Sequence, residues 1–392
     1  MTWCRVAAAL GRAGQTLLLG ARHAGHAAGR VNTYLDDPLL NLAGTQRQRD
    51  QQLTAVLLLW SAAGFQISWA KGTRSKVARW IGLNFEPDIQ SLTVKVSIPP
   101  KTAQAIKDGA LELLDKSMLP LSKLRRLAGK GGWVMNLLPK ARWTVQRLWG
   151  AIAEEERCKR EGASRQTKRG GPRTDLVARR QVEAALRWLV AFWGSPLLRL
   201  ERAFGAEPPE AEFEMIFDAS PWGLGGVLIA RKNGIAIQYF DEALTLEDCS
   251  RFEAQIGDAK GQQYWEALAV LVGLKVWAPL VARTRAAVRV KSDSVTALAC
   301  ACKLASSSAL MNGIGAEMAL VLEVHEISEV LATHVPGQLN DVADALSRLA
   351  QPGAPQTLPP QLLNAKRRRT PHRDAQFWTS WAAAVGPRRA SS

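Results

Sequence analysis

Four acidic residues, Asp218, Glu266, Asp293 and Asp344, stand in the strings FDAS, YWEALAV, VKSDS and NDVADALSR, contexts that would bury a carboxylate unless it were used. They lie on four separate segments, and brought together without a cation they would repel one another. Two divalent ions roughly 3.5 to 4 Å apart can activate a water and stabilise the leaving oxygen of a phosphodiester, provided oxygen ligands of compensating charge hold them. Mg2+, with Mn2+ as a substitute, is therefore the cofactor such a set would take.

The elements that must position these acids are legible from periodicity. Phe213, Met215 and Phe217 alternate with Glu214, Ile216 and Asp218, which predicts a strand with Asp218 on the face opposite the aromatics. Gly223, Gly225 and Gly226 follow, and are expected to let the chain turn tightly beside the acid. Residues 227–230 and 235–240 flank Asn233-Gly234, the strongest short hairpin signal. Residues 262–276 predict a helix with Trp265, Leu268, Ala269, Val272 and Val276 on one face and Glu266 one position off that stripe, where an acid alone reads as a rim residue. Asp293 ends the strand predicted over 287–292 and is equally well explained as a helix N-cap. A helix over 312–326 and a strand over 329–335 lead to a Pro336-Gly337 turn, then a helix with Asn340 as its N-cap. Asp341 and Asp344 both suit the start of that helix electrostatically.

The last of these strings, PGQLNDVADALSR at 336–348, resembles the closing motif of the ribonuclease H family, in the form fused to reverse transcriptases of long-terminal-repeat and DIRS-like retroelements. Upstream, VNTYLDDPLL at 31–40 is similar to the YxDD hairpin of the reverse-transcriptase palm, and ARWIGLNF at 78–85 to the strand after it. The resemblance implies an α/β (α+β) chain, the carboxy-terminal part of a polyprotein. Its parts would be a partial palm over 1–100, a helical thumb and connection segment over 101–153, a basic linker and helix over 154–211, a ribonuclease H-like mixed five-stranded sheet flanked by helices over 212–350, and a flexible basic tail over 351–392. It further implies hydrolysis of the RNA strand of an RNA/DNA hybrid, with Asp218 bridging two metal ions and Glu266, Asp293 and Asp344 completing their shells.

The same resemblance makes Asp36 and Asp37 a polymerase-type metal site. Polymerisation needs a further aspartate from an earlier strand, and no acid precedes Asp36, so RNA-directed DNA polymerase activity is expected to be incomplete. Many relatives carry a histidine directly after the Pro-Gly turn; this chain has Gln338, and its His334, in a strand, is expected to be structural. The competing reading is a non-catalytic nucleic-acid-binding remnant of a retroelement.

Elsewhere the pattern is looser. Residues 1–35, with Arg5, Arg12, Arg22 and Arg30 and no acid, read either as a palm helix or as an organelle transit peptide. A helix is predicted over 46–64, strands over 65–69 and 79–85, a helix over 102–115, and a second from Ser122 in which Gly129, Gly131 and Gly132 either break it or allow close packing. The basic run to Arg180 is a solvated linker or a phosphate contact through Lys168, Arg169 and Arg173. Helical periodicity resumes over 176–193, and a second basic cluster, KRRR, occupies 366–369 in the tail, where it reads as flexible chain, an import signal or a phosphate contact.

The 392 residues suffice for two or three cores, and a net charge of +16 points to a polyanionic partner, nucleic acid above all. The longest apolar run, 266–282, is broken by Lys275 and Pro279 and falls short of a span of about 20 residues, so no membrane is expected. Five cysteines without a CxxC pair fit a reducing compartment, nucleus or cytoplasm, and argue against a disulfide framework or zinc.

Overall fold

The computed structural model describes residues 2–23, 29–34, 37–88, 90–91, 93–160, 175–194, 200–205, 211–281, 287–380 and 385. It divides into two compact units, Met1–Pro99 with Glu201–Ala206, and Pro100–Leu200 with Glu207–Ser392.

In the first unit a helix, Thr2–His23, packs on an antiparallel hairpin of Arg30–Tyr34 and Asp37–Asn41 and on a second helix, Gln46–Ala62. Leu18, Val31, Val56 and Trp60 form the shared core. The second helix starts where Thr45 and Gln48 close a reciprocal capping box. The strand expected over 65–69 is absent, its place taken by irregular chain and a short turn, Trp69–Lys71. The strand expected over 79–85 is two strands, Ala78–Trp80 and Leu83–Asp88, paired back to back. Ile81 and Gly82 reverse the chain there with φ of 44° and 84°, the two consecutive positive values of a two-residue hairpin turn. An isoleucine at such a position hides the turn from any reading of residue types.

The second unit begins with helices Pro100–Leu114, Leu121–Val134, Arg142–Arg160 and Glu183–Gly194. Gly129, Gly131 and Gly132 lie inside the second of these and do not break it; a Cβ on Gly131 would come 3.0 Å from Val145 of the next helix, so close packing is its use. The helical periodicity from 176 is realised only from Glu183, because Leu176–Ala178 is drawn out as a strand against Met118–Pro120.

The rest of this unit is a mixed α/β layer structure. Its elements are β1 (Phe213–Ala219), β2 (Gly223–Ala230), β3 (Ile235–Ala243), α1 (Leu246–Phe252), α2 (Gln262–Val281), β4 (Val288–Ser292), α3 (Val295–Lys303), α4 (Ala309–Val324), β5 (Val330–His334), α5 (Asp341–Ser347) and β6 (Lys366–Arg367). The sheet order is β5-β4-β1-β2-β3-β6. β1, β2 and β3 form an antiparallel meander, β4 is parallel to both β1 and β5, and β6 is parallel to β3. Met215, Phe217, Leu228 and Phe240 on one face meet α2, while Val227 and Tyr239 on the other meet Leu346 of α5. Trp143 and Ala185 of the preceding helices join the α2 core.

The sheet expected as five-stranded has six strands among the described residues, the sixth supplied from beyond residue 350. Among the described residues one helical stretch, Ala259–Val281, is long and apolar enough to cross a membrane, although 72% of its apolar window is buried inside the protein. The segment after 350, expected as a flexible tail, is packed through Ser380: it supplies β6, and Phe377 and Trp378 enter the main core. Side-chain pairing over long sequence separations holds it there, as between Arg373 and Asp248.

Candidate active site

Asp218 lies one residue before the end of β1, directly opposite Gly225 of β2. Gly225 is where α5 crosses the sheet: a Cβ there would lie 2.4 Å from the Ala343 carbonyl oxygen and 2.8 Å from the Ser347 nitrogen. The glycines after Asp218 therefore continue a strand and admit a helix, where a tight turn was expected.

This close approach delivers two polar side chains to the acid. The Ser347 hydroxyl, which has one proton to give, is within donating reach of Asp218 Oδ2 at 2.8 Å and of the Asp344 carbonyl at 2.9 Å. Ser220 Oγ in turn donates to the Ser347 carbonyl at 2.7 Å, tying the end of α5 to the end of β1. Asn340, expected as an N-cap, makes no capping bond; its Nδ2 donates to the Phe217 carbonyl at 3.0 Å and to Asp218 Oδ1 at 3.3 Å.

Glu266 enters from the first turns of α2 and is buried, only 8% exposed, so it is no rim residue. Gln262, one turn earlier, donates to Glu266 Oε1 at 2.7 Å and to the Ala219 carbonyl at 2.6 Å. Asp293 follows β4, and the N-cap of α3 is its neighbour Ser294, whose Oγ accepts from the Ala297 amide. That frees the Asp293 carboxylate for the site. His334, exposed at the end of β5, lies with Nε2 3.1 Å from the Asp293 carbonyl oxygen.

One ligand oxygen from each of Asp218, Glu266 and Asp293 falls within 4.8 Å of the others. Burial, then the charges of Asp293 and Asp344, push the Asp218 carboxyl up to about 7 against the Ser347 hydrogen bond. Burial and the charge of Asp218 raise Glu266 to about 8. Glu266 Oε2 and Asp293 Oδ1 are buried with no hydrogen-bond partner, and among the described residues no Lys or Arg pairs with any of the three acids. An all-oxygen set with two unpartnered carboxylate oxygens and no directly paired cation fits a hard divalent cation.

Asp344 lies outside this three-residue group. Its side chain is 40% exposed and pairs with Arg348 Nε at 2.7 Å, one helical turn on. It still acts on the group through its charge on Asp218.

No protein-family model matches the chain, and no curated protein matches it. Solved structures similar in part include a ribonuclease H1 isolated from compost by a metagenomic approach, at 15% identity and TM-score 0.29, over 36% of this chain and 96% of that one. A ribonuclease H1 from the halophilic archaeon Halobacterium salinarum stands at 19% identity and TM-score 0.27, over 36% and 98%. The foamy viral protease-reverse transcriptase in complex with RNA/DNA hybrid stands at 13% identity and TM-score 0.34, over 78% of this chain and 35% of that one.

Of the remaining expected site residues, only Asp37 is among the described residues. Asp37 is exposed at the hairpin of the first unit, where its carbonyl accepts from Trp80 Nε1 at 2.9 Å. Asp36 lies outside the described residues, as do Lys168, Arg169 and Arg173. Ser347 and Gln262 were not foreseen. Their only sequence signal is spacing: Ser347 is three residues after Asp344 and Gln262 four before Glu266, one helical turn in each case.

Proposed function

We propose that this chain is a ribonuclease H-type nuclease that hydrolyses the RNA strand of RNA/DNA hybrids, within a retroelement reverse-transcriptase fragment. The observation that carries the reading is the meeting of Asp218, Glu266 and Asp293 at one end of the sheet, with two of their buried oxygens unpartnered. In this reading residues 1–100 are a partial palm, 101–153 a thumb and connection segment, 154–211 a linker and helix, and 212–350 the nuclease domain.

Asp218, Glu266 and Asp293 would hold Mg2+, or Mn2+ in its place, with Asp344 contributing from the rim. A divalent pair supplies charge compensation at the phosphate and activation of a water. The chain's own part is orientation. Ser347 and Asn340 hold the two oxygens of Asp218, and Gln262 holds one oxygen of Glu266 so that the other faces the group. Because burial raises both Asp218 and Glu266 toward and above neutrality, binding of cations there would be coupled to release of protons. Choice of the RNA strand would rest on contacts to the 2′-hydroxyl.

The ion pair of Asp344 with Arg348 favours a second reading, the non-catalytic nucleic-acid-binding remnant, because it engages the fourth acid. One experiment separates the two. A labelled RNA/DNA hybrid is incubated with the protein and Mg2+, beside the Asp218→Asn variant. Cutting of the RNA strand by the parent and not the variant supports the nuclease; hybrid binding with no cutting by either supports the remnant.

A further inference from the structure

We propose that the C-terminal strap carrying Lys366, Arg368 and Arg369 is a contact for the phosphate backbone of the same duplex whose RNA strand is cut. The inference rests on the nuclease reading and adds a second binding surface to it.

The strap is a fixed element. Arg367 makes a two-pronged ion pair with Asp241 of β3, Nε to Oδ1 at 2.6 Å and Nη2 to Oδ2 at 2.7 Å. Arg373 is buried against the equally buried Asp248, with Nε 2.9 and 2.8 Å from its two oxygens, and its Nη2 donates to the Ala243 carbonyl at 2.7 Å. Beyond it the Ser380 amide and the Thr379 hydroxyl both donate to the fully buried Glu317. Two of the strap's five cations, Arg367 and Arg373, are thus consumed in holding it. Lys366, Arg368 and Arg369 are exposed, and among the described residues their side chains have no acidic partner. The cleft beside Arg368 and Arg369 is also lined by Asp241, Glu242, Glu247 and Asp374, but Asp241 is engaged by Arg367 and Glu242 by Thr370, and the three exposed cations are left to face a polyanion.

Register places this charge relative to the acids. Asp218 pairs with Gly225, and Gly225 with Asp241. Tyr239 pairs with Arg367 in a parallel ladder that continues through the Arg368 amide, which donates to the Tyr239 carbonyl at 2.8 Å. Carried on past the two paired residues of β6, the same register puts Arg369 level with Asp241 and Asp218, in one row. Three strand spacings separate the ends of that row, about 14 Å, and both lie at the same end of the sheet. A duplex with its scissile phosphate at the carboxylates has further phosphates at this range. Basic residues on an edge strand also discourage sheet-to-sheet pairing, so the test must distinguish the two uses.

Binding of a labelled RNA/DNA hybrid is measured as a function of salt in the full chain carrying Asp218→Asn, with and without Lys366→Ala, Arg368→Ala and Arg369→Ala together. The expected result is affinity lower by about tenfold and a log–log salt slope shallower by about 2 to 3, with unchanged melting temperature. An unchanged slope overturns the inference, as does a loss of binding that tracks self-association of the variant, the mark of edge protection alone. If the triple variant melts early, modification of Arg368 and Arg369 by an arginine reagent in the parent decides: protection by the hybrid supports the contact, and its absence overturns it. Parent cutting with no strap effect sinks this inference alone, whereas a parent that neither binds nor cuts hybrid sinks the nuclease reading with it.

Discussion

Asp218 and Glu266 are buried acids held above their ordinary range by burial and by the charge of neighbouring carboxylates, so each keeps its proton longer in the folded protein than in the unfolded chain. The stability this contributes is fully present below the unfolded carboxylate range, about 4, and is lost as pH rises through the folded values of about 7 and about 8. Metal-free protein should therefore melt at a lower temperature near pH 8 than near pH 5, and Mg2+ should restore more at the higher pH. Glu266→Gln should flatten the dependence. A metal-free melting temperature that rises across this interval would show that the acids do not carry it. At the same scale, Ser347→Ala removes a hydrogen bond to Asp218 Oδ2, of the charged kind worth about 1.5 to 3 kcal/mol. We expect weaker Mg2+ binding and more protons released per ion, both readable by titration calorimetry in buffers of different ionisation heat; unchanged affinity and proton count would remove Ser347 from the site. Asp218, Glu266 and Asp293, the three acids that meet, were singled out by the order of their elements and by the closing motif, since alone Glu266 reads as a rim residue and Asp293 as a helix cap. Ser347 was not, since a serine at the end of a helix is as often a capping or surface residue as the holder of an acid 129 positions away.

The elements were legible wherever one period runs unbroken. Phe213, Met215 and Phe217 alternate and form β1, and Asn233-Gly234 closes the β2–β3 hairpin with Gly234 at φ 67°. Reading failed where an element is set by its neighbour. Gly223 and Gly225 look like turn residues, yet their lack of a side chain serves a helix crossing above them, a tertiary fact with no local signal. Gly225→Ala tests this directly. The added methyl would overlap the backbone of α5, so strain of about 1 to 3 kcal/mol is expected. Any relief by lifting α5 would also carry Ser347 and Asp344 away from Asp218. Mg2+-dependent cleavage should therefore fall further than the melting temperature implies, and a variant with parent-like cleavage would show that α5 does not position the site.

At the scale of the molecule, the C-terminal segment belongs to the fold, and its charges mislead when read along the chain. Arg373 looks like one more cation of a basic tail, but its partner Asp248 lies 125 positions earlier and both side chains are almost fully buried. Buried pairs of this kind lose little when both charges go and much when one does, about 3 to 5 kcal/mol for an abandoned partner. Arg373→Met should therefore destabilise the protein by that order, because Asp248, in the first turn of α1, would be left buried without its partner. Asp248 also accepts from the Thr245 amide as part of the cap of α1, so its replacement must keep an acceptor. Arg373→Met combined with Asp248→Asn meets that condition, and it should recover most of what the single variant loses in denaturant unfolding. If the double variant is as unstable as the single one, then Arg373 holds the strap through its bond to the Ala243 carbonyl and its packing, and the charge on Asp248 is incidental.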